Sequence, residues 1–167
     1  KYIENKLKFF SFIKEAVAFG DQRENTCIFV NIDLEAVGNW AERRHLAYSG
    51  YIDLAAQDEV YDLVQGCVDK VNEDLSQDPL LSRSQIKRFL VLHKELDADD
   101  GELTRTRKVR RSFIEERYVP LVEALYSDVS ECHIETQVKF EDGRTGSLSA
   151  DVKIREAKQF TPVAKAS

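Results

Sequence analysis

From Arg105 to Arg111, five of seven side chains are cationic: Arg105, Arg107, Lys108, Arg110 and Arg111. They follow an acidic stretch, Lys94-Glu-Leu-Asp-Ala-Asp-Asp-Gly-Glu102, that ends in a turn, and they precede an amphipathic segment. A basic loop that opens a helix can hold an anion, because its cationic side chains and the free N–H groups of the first turn point the same way. A lysine in such a loop reaches a phosphate as a compact point charge, and Lys108 is the candidate. Two other uses of these residues compete. The cations could lie on a solvated helix face and answer Glu115 and Glu116 one turn away, or they could bind nucleic acid. Against nucleic acid stand a net charge of −6 and the lack of aromatic residues among the basic ones.

The elements that must position this loop can be read from hydrophobic periodicity. Tyr2 to Phe10 suits a short helix, with apolar residues at Tyr2, Ile3, Leu7 and Phe10. Ala16–Phe19 and the β-prone run Thr26–Ile32 are strands, and the turn Gly20–Asn25 between them predicts an antiparallel hairpin. Asp33 can cap a helix that runs through Trp40 to Arg44. Asp53–Leu75 predicts a longer helix, with Val60, Leu63, Val64, Cys67, Val68 and Val71 at helical spacing. Ile86–His93 is another strand. The basic segment is expected to open a helix striped by Val109, Phe113, Ile114, Tyr118, Leu121, Val122 and Leu125, which Pro120 divides or kinks. His133–Phe140 and Gly146–Ile154 alternate around Glu141-Asp-Gly-Arg144, which predicts a β-hairpin. Residues 156–167 read as a loose tail.

Composition narrows the function classes. With 167 residues, 43% apolar and 32% charged, the chain can bury the core of one globular domain. No apolar run approaches the roughly 20 residues of a membrane span, and the N-terminus has no signal-peptide core. Cys27, Cys67 and Cys132 form no Cys-x-x-Cys pair, and Cys27 and Cys67 sit in apolar patterns, which suits reduced thiols in the cytoplasm. His45, His93 and His133 lie on separate elements without ligand spacing, so no metal site is expected. The acidic residues Glu95, Asp97, Asp99 and Asp100 lack the EF-hand pattern and read as a solvated loop. Trp40 reads as a core anchor, with Arg43 and Arg44 facing water. The chain starts without methionine inside a helical pattern, which reads as a piece of a longer protein.

The run Leu92-His-Lys-Glu-Leu-Asp…Asp-Gly-Glu-Leu-Thr-Arg-Thr-Arg-Lys-Val-Arg-Arg…Glu-Glu-Arg-Tyr…Leu-Val-Glu-Ala-Leu-Tyr126 resembles the final motif of adenylate-forming enzymes. More narrowly it resembles the long-chain acyl-CoA synthetase branch, whose motif reads Leu-Thr-x-Thr-x-Lys-φ-x-Arg, φ being apolar. Leu103, Thr104, Thr106, Lys108, Val109 and Arg111 fill those positions. Ile3-Glu-Asn5 followed by Ile13-Lys-Glu-Ala-Val-Ala-Phe-Gly-Asp21 resembles the stretch just after the family's hinge. One departure is Arg107, where many members outside the long-chain branch have glycine.

The resemblance implies an α+β fold, a small mixed sheet flanked by helices, forming the mobile C-terminal subdomain of a fatty-acid–CoA ligase over residues 1–128. Residues 129–155 would be an added β-hairpin with no counterpart in the family pattern, and 156–167 the tail. It implies that Lys108 contacts the substrate carboxylate and the α-phosphate of ATP during adenylation. There it would stabilise a transition state that brings two anions together. It also implies that ATP, Mg2+ and CoA are bound mainly by a missing N-terminal domain, the first partner of this one, with a fatty acid as substrate. Arg43, Arg44 and Arg110 are tentative CoA contacts. A homodimer through the hairpin edge and peripheral membrane contact by the full-length protein stay open. The fragment alone is expected to be inactive. The rival readings are a ligase of other acyl or aryl acids and a free-standing phosphate- or protein-binding module.

Overall fold

The computed structural model describes residues 2–21, 23–140 and 142–163. Gln22 and Glu141, in two of the expected turns, and residues 164–167 of the expected tail lie outside them. The fold is α+β. Its main sheet pairs β1 (Ile13–Phe19) antiparallel to β2 (Thr26–Ile32), β2 parallel to β3 (Ile86–Val91), and β3 antiparallel to the short β6 (Arg155–Glu156), in the order β1-β2-β3-β6. A parallel pair needs a long crossover. Here it is supplied by α2 (Leu34–Arg43), α3 (Tyr51–Ala56) and α4 (Asp58–Ser76). A second sheet is the hairpin of β4 (Glu131–Lys139) and β5 (Thr145–Lys153).

The alternation of β2 divides the core in two. Ile28, Val30 and Ile32 face a cluster that takes in Leu7 of α1 (Tyr2–Lys8), Val37 and Ala41 of α2, and Val64, Val68 and Val71 of α4. Cys27 and Phe29 face the other cluster, with Ile114 of α5 (Arg111–Arg117), Leu121 and Val122 of α6 (Val119–Leu125), and Ile134 and Val152 of the hairpin. A strand buried on both faces needs an unbroken apolar run, which explains the β-prone sequence Cys27-Ile-Phe-Val30.

Three local features differ from the reading of the sequence. The long helix begins earlier, at Tyr51, and breaks at Gln57, whose extended backbone (φ −76, ψ 140) ends α3 and opens α4. The break puts Asp58 and Glu59 in the first turn of α4, where negative charge is favoured. The basic segment does not open a helix; α5 starts only at Arg111. Pro120 falls early in α6, where its missing N–H costs nothing, so the expected division into two helical pieces is present. Up to Val163 the tail is not loose. Ala157 N donates to Lys87 O (2.9 Å), Phe160 N to Gln85 Oε1 (2.9 Å) and Val163 N to Ser76 O (2.8 Å), so the chain straps β3 to α4. No helix among the described residues is long and apolar enough to cross a membrane.

Candidate functional site

The basic segment is a small hairpin. Leu103 and Val109 form an antiparallel bridge. Inside it Thr104 N donates to Lys108 O (2.9 Å) and Arg107 N to Thr104 O (2.9 Å). The Thr104 hydroxyl accepts from Lys108 N at 3.1 Å and lies 3.1 Å from the Thr106 hydroxyl. This is the hydrogen-bond pattern of a tight turn closed by a left-handed residue. Arg107 is that residue, with φ of 63°. The two threonines of the motif therefore have a local task, holding the turn that carries Lys108.

Arg105, Arg107 and Lys108 are all exposed, and none has an ion-pair partner among the described residues. Of Glu115 and Glu116, which the helix-face alternative would pair with them, neither does so among the described residues, and Glu115 pairs with Arg23 at 3.1 Å. The three cations thus stand on a loop rather than on a helix face, unneutralised. Such a set suits an external anion and repels a metal ion.

The other cations of the motif are engaged. Arg110 donates to Gly101 O at 2.8 Å and lies 4.9 Å over the Phe113 ring. Arg111 reaches back to the first helix: its Nη2 donates to Glu4 Oε1 at 2.7 Å and its Nη1 to Ala18 O at 2.6 Å. Glu4 Oε2 accepts from Ala18 N at 2.7 Å. Burial pushes the Glu4 carboxyl up, but the Ala18 N–H and Arg111 outweigh it and hold the pKa below its ordinary value. Glu4 lies in Ile3-Glu-Asn5 and Arg111 ends the basic motif. The two stretches singled out separately in the sequence are bonded to each other.

The acidic loop is only partly solvated, contrary to expectation. Asp97 and Asp99 are exposed, but the Asp100 carboxylate is buried 3.0 Å from Lys94 Nζ, and Glu102 is fully buried. Lys94 and Tyr118 bond directly to the Glu102 carboxylate, Arg117 Nε lies 3.0 Å from it, and Asp97 N donates to it at 3.1 Å. Burial, and then the Glu102 charge, hold the Tyr118 phenol far above its usual pKa, so it acts as a neutral donor. Asn31 ties the far end of the loop to β2: it donates to Lys94 O (2.8 Å) and accepts from Leu96 N (2.9 Å). One hint of this knot is legible in the amino-acid order. Leu96 and Leu103 bracket the acidic residues, and both are buried.

The tentative CoA arginines do not converge. Arg43 and Arg44 sit at the end of α2, whose buried side packs on the first core cluster. Arg44 lies 4.9 Å over the half-buried Trp40. Lys108 and Arg110 are anchored through Leu103 and Val109 to the second cluster, across the sheet. Among the described residues no three His, Cys, Asp or Glu side chains group as a metal site.

No protein-family profile matches the chain. It is 28% identical over 126 residues to the long-chain-fatty-acid–CoA ligase FadD15 of Mycobacterium tuberculosis, which covers 75% of this chain and 20% of the relative. The same figures hold for FadD15 of Mycobacterium bovis. Among solved structures it resembles the A-PCP didomain of a carboxylic acid reductase from Segniliparus rugosus in complex with AMP, with a TM-score of 0.51, 16% identity, and coverage of 75% of this chain and 15% of that one. It also resembles the adenylation domain of a carboxylate reductase from Mycobacterium chelonae, with a TM-score of 0.52, 20% identity, and coverage of 75% and 17%. The chain thus spans about a fifth of the length of the curated relatives it matches.

Proposed function

We propose that the chain is an adenylate-forming enzyme's C-terminal subdomain, that of a long-chain fatty-acid–CoA ligase, and that Lys108 is its catalytic residue. The observation that carries this reading is Lys108 itself, exposed and without an ion-pair partner among the described residues at the end of a hydrogen-bonded turn. The similarity to FadD15 supports the fatty-acid assignment. In the proposed reaction a carboxylate attacks the α-phosphorus of ATP and pyrophosphate leaves. Lys108 brings a positive charge to the crowded anions, a contribution typically worth about 10²–10³ in rate. ATP, magnesium and CoA would be held mainly by an N-terminal domain; the residues here fit the anionic groups and offer no cluster for the metal. Arg43 and Arg44 remain the side chains we assign to CoA. Arg110 is committed to Gly101 and Phe113.

The test is fatty-acid-dependent ATP–pyrophosphate exchange by the full-length protein. The wild type is expected to exchange and Lys108→Ala to lose nearly all exchange, while thioester formation from preformed acyl-adenylate survives. Equal loss of both half-reactions would refute the role given to Lys108. A second reading is favoured by the likeness to the two carboxylate reductase adenylation domains: the acid is activated but not passed to free CoA. Exchange without CoA-dependent thioester formation would select it.

A further inference from the structure

We propose that Glu102 is the positioning residue of the basic loop: its buried carboxylate fixes the base of the 103–109 hairpin and thereby sets where Lys108 stands. The catalytic part of this inference rests on the role proposed for Lys108. The loop-holding part does not.

Three observations carry it. First, the Glu102 carboxylate is fully buried and draws its partners from separate places: Lys94 beyond β3, Asp97 N in the acidic loop, and Arg117 and Tyr118 where α5 meets α6. Second, the Glu102 backbone closes the hairpin. Its N–H donates to Asp97 O (3.0 Å), its carbonyl accepts from Arg110 N (3.0 Å), and the Leu103–Val109 bridge follows at once. Third, among the described residues Thr104 to Lys108 hydrogen-bond only with one another. The direction of the exposed turn is therefore set at its base.

Stability alone is a poor reason for such a knot. Lys94 and Arg117 face Asp100 and Glu102, so the cluster is neutral, but a buried ionic cluster can often be replaced by apolar side chains of like volume without loss. What apolar residues cannot do is fix one geometry through directional bonds. A lysine that must meet a reacting phosphate needs that geometry, since a displacement of about 1 Å can cost about 10²-fold in rate.

The experiment uses Glu102→Gln in the full-length protein. In a Cys132→Ser background, Arg105→Cys carries a trifluoromethyl label at the exposed turn, and fluorine NMR reports its conformations. The expected result is a folded variant whose single sharp resonance broadens or splits. In unlabelled protein, kcat for ATP–pyrophosphate exchange should fall about 10²-fold while KM for ATP moves less than about twofold. Tyr118→Phe removes one bond to Glu102 and should do the same more weakly, which covers the case in which Glu102→Gln does not fold. An unchanged resonance in the folded variants overturns the proposal. So does a disordered label with exchange intact, provided Lys108→Ala abolishes exchange. If neither Glu102→Gln nor Lys108→Ala alters exchange while the label responds, the role of Lys108 falls and the loop-holding by Glu102 stands.

Discussion

Arg107 holds a backbone conformation in which an L side chain is crowded. A φ of 63° in a non-glycine residue costs on the order of 1–2 kcal/mol, and the exposed guanidinium has no ion pair among the described residues to offset it. The residue that closes this turn pattern is left-handed, a conformation that glycine adopts without cost. Arg107→Gly is therefore expected to raise stability by about 1 kcal/mol, less than the full relief because glycine loses more entropy on folding. Urea unfolding of the two proteins measures this, and a lower midpoint in the variant would contradict the left-handed assignment. The same motif shows why a count of charges misleads. Lys108 is exposed without an ion-pair partner among the described residues, Arg110 is stacked on Phe113, and Arg111 is bonded to Glu4. Spacing cannot separate these roles, because the groups that decide them come from elsewhere in the chain.

Between elements, the Glu4–Arg111 pair joins α1, β1 and α5. It satisfies the N–H and carbonyl of Ala18 on the outer edge of β1. Hydrogen bonds to charged groups typically contribute about 1.5–3 kcal/mol, so Glu4→Gln is expected to lower stability by about 2 kcal/mol. Arg111→Lys should not substitute for the planar fork. A double-mutant cycle with Arg111→Met would show coupling above about 0.5 kcal/mol; strict additivity would mean that the two side chains act independently. The elements themselves were largely legible. The antiparallel β1–β2 pair, Asp33 as the cap of α2 (accepting from Ala36 N at 2.9 Å) and the hairpin of β4 and β5 follow from local pattern. The parallel register of β2 and β3, the break at Gln57 and the docked tail do not, because long-range hydrogen bonds set them. Asn72 illustrates the point. It interrupts the polar–apolar rhythm of α4, yet it is fully buried, bonded to both the N–H and the carbonyl of Ile86 and to Lys158 O.

At the scale of the whole molecule, two buried groups, His93 beside β3 and Glu4 at the edge of β1, answer to acid in different windows. His93 lies between β3 and the hairpin, 3% exposed, with Nε2 2.8 Å from the Thr136 hydroxyl and Tyr118 edge-on at 6.0 Å. Burial first, then the charges of Lys94 and Arg117, lower its pKa from 6.5 to about 4. Those two cations are themselves ion-paired, Lys94 with Asp100 and Arg117 with Glu102, each at 3.0 Å. Between these two values the unfolded chain binds a proton that the folded chain does not. Stability therefore rises with pH through that window and falls on acidification, by at most about 1.4 kcal/mol per pH unit. Glu4 has the opposite history: its carboxylate is stabilised in the fold, so its contribution is complete above its ordinary value of 4.5 and is lost as pH falls through its lower folded pKa. The two windows hardly overlap. His93→Gln should flatten the unfolding midpoint between pH 6.5 and about 4.5 and leave the loss at lower pH, whereas Glu4→Gln should leave the upper window and flatten the lower. A His93→Gln curve running parallel to the wild type across the upper window would show that His93 titrates in the fold as it does in water. The packing of the hairpin over β3 would then be more open than the Thr136 contact requires.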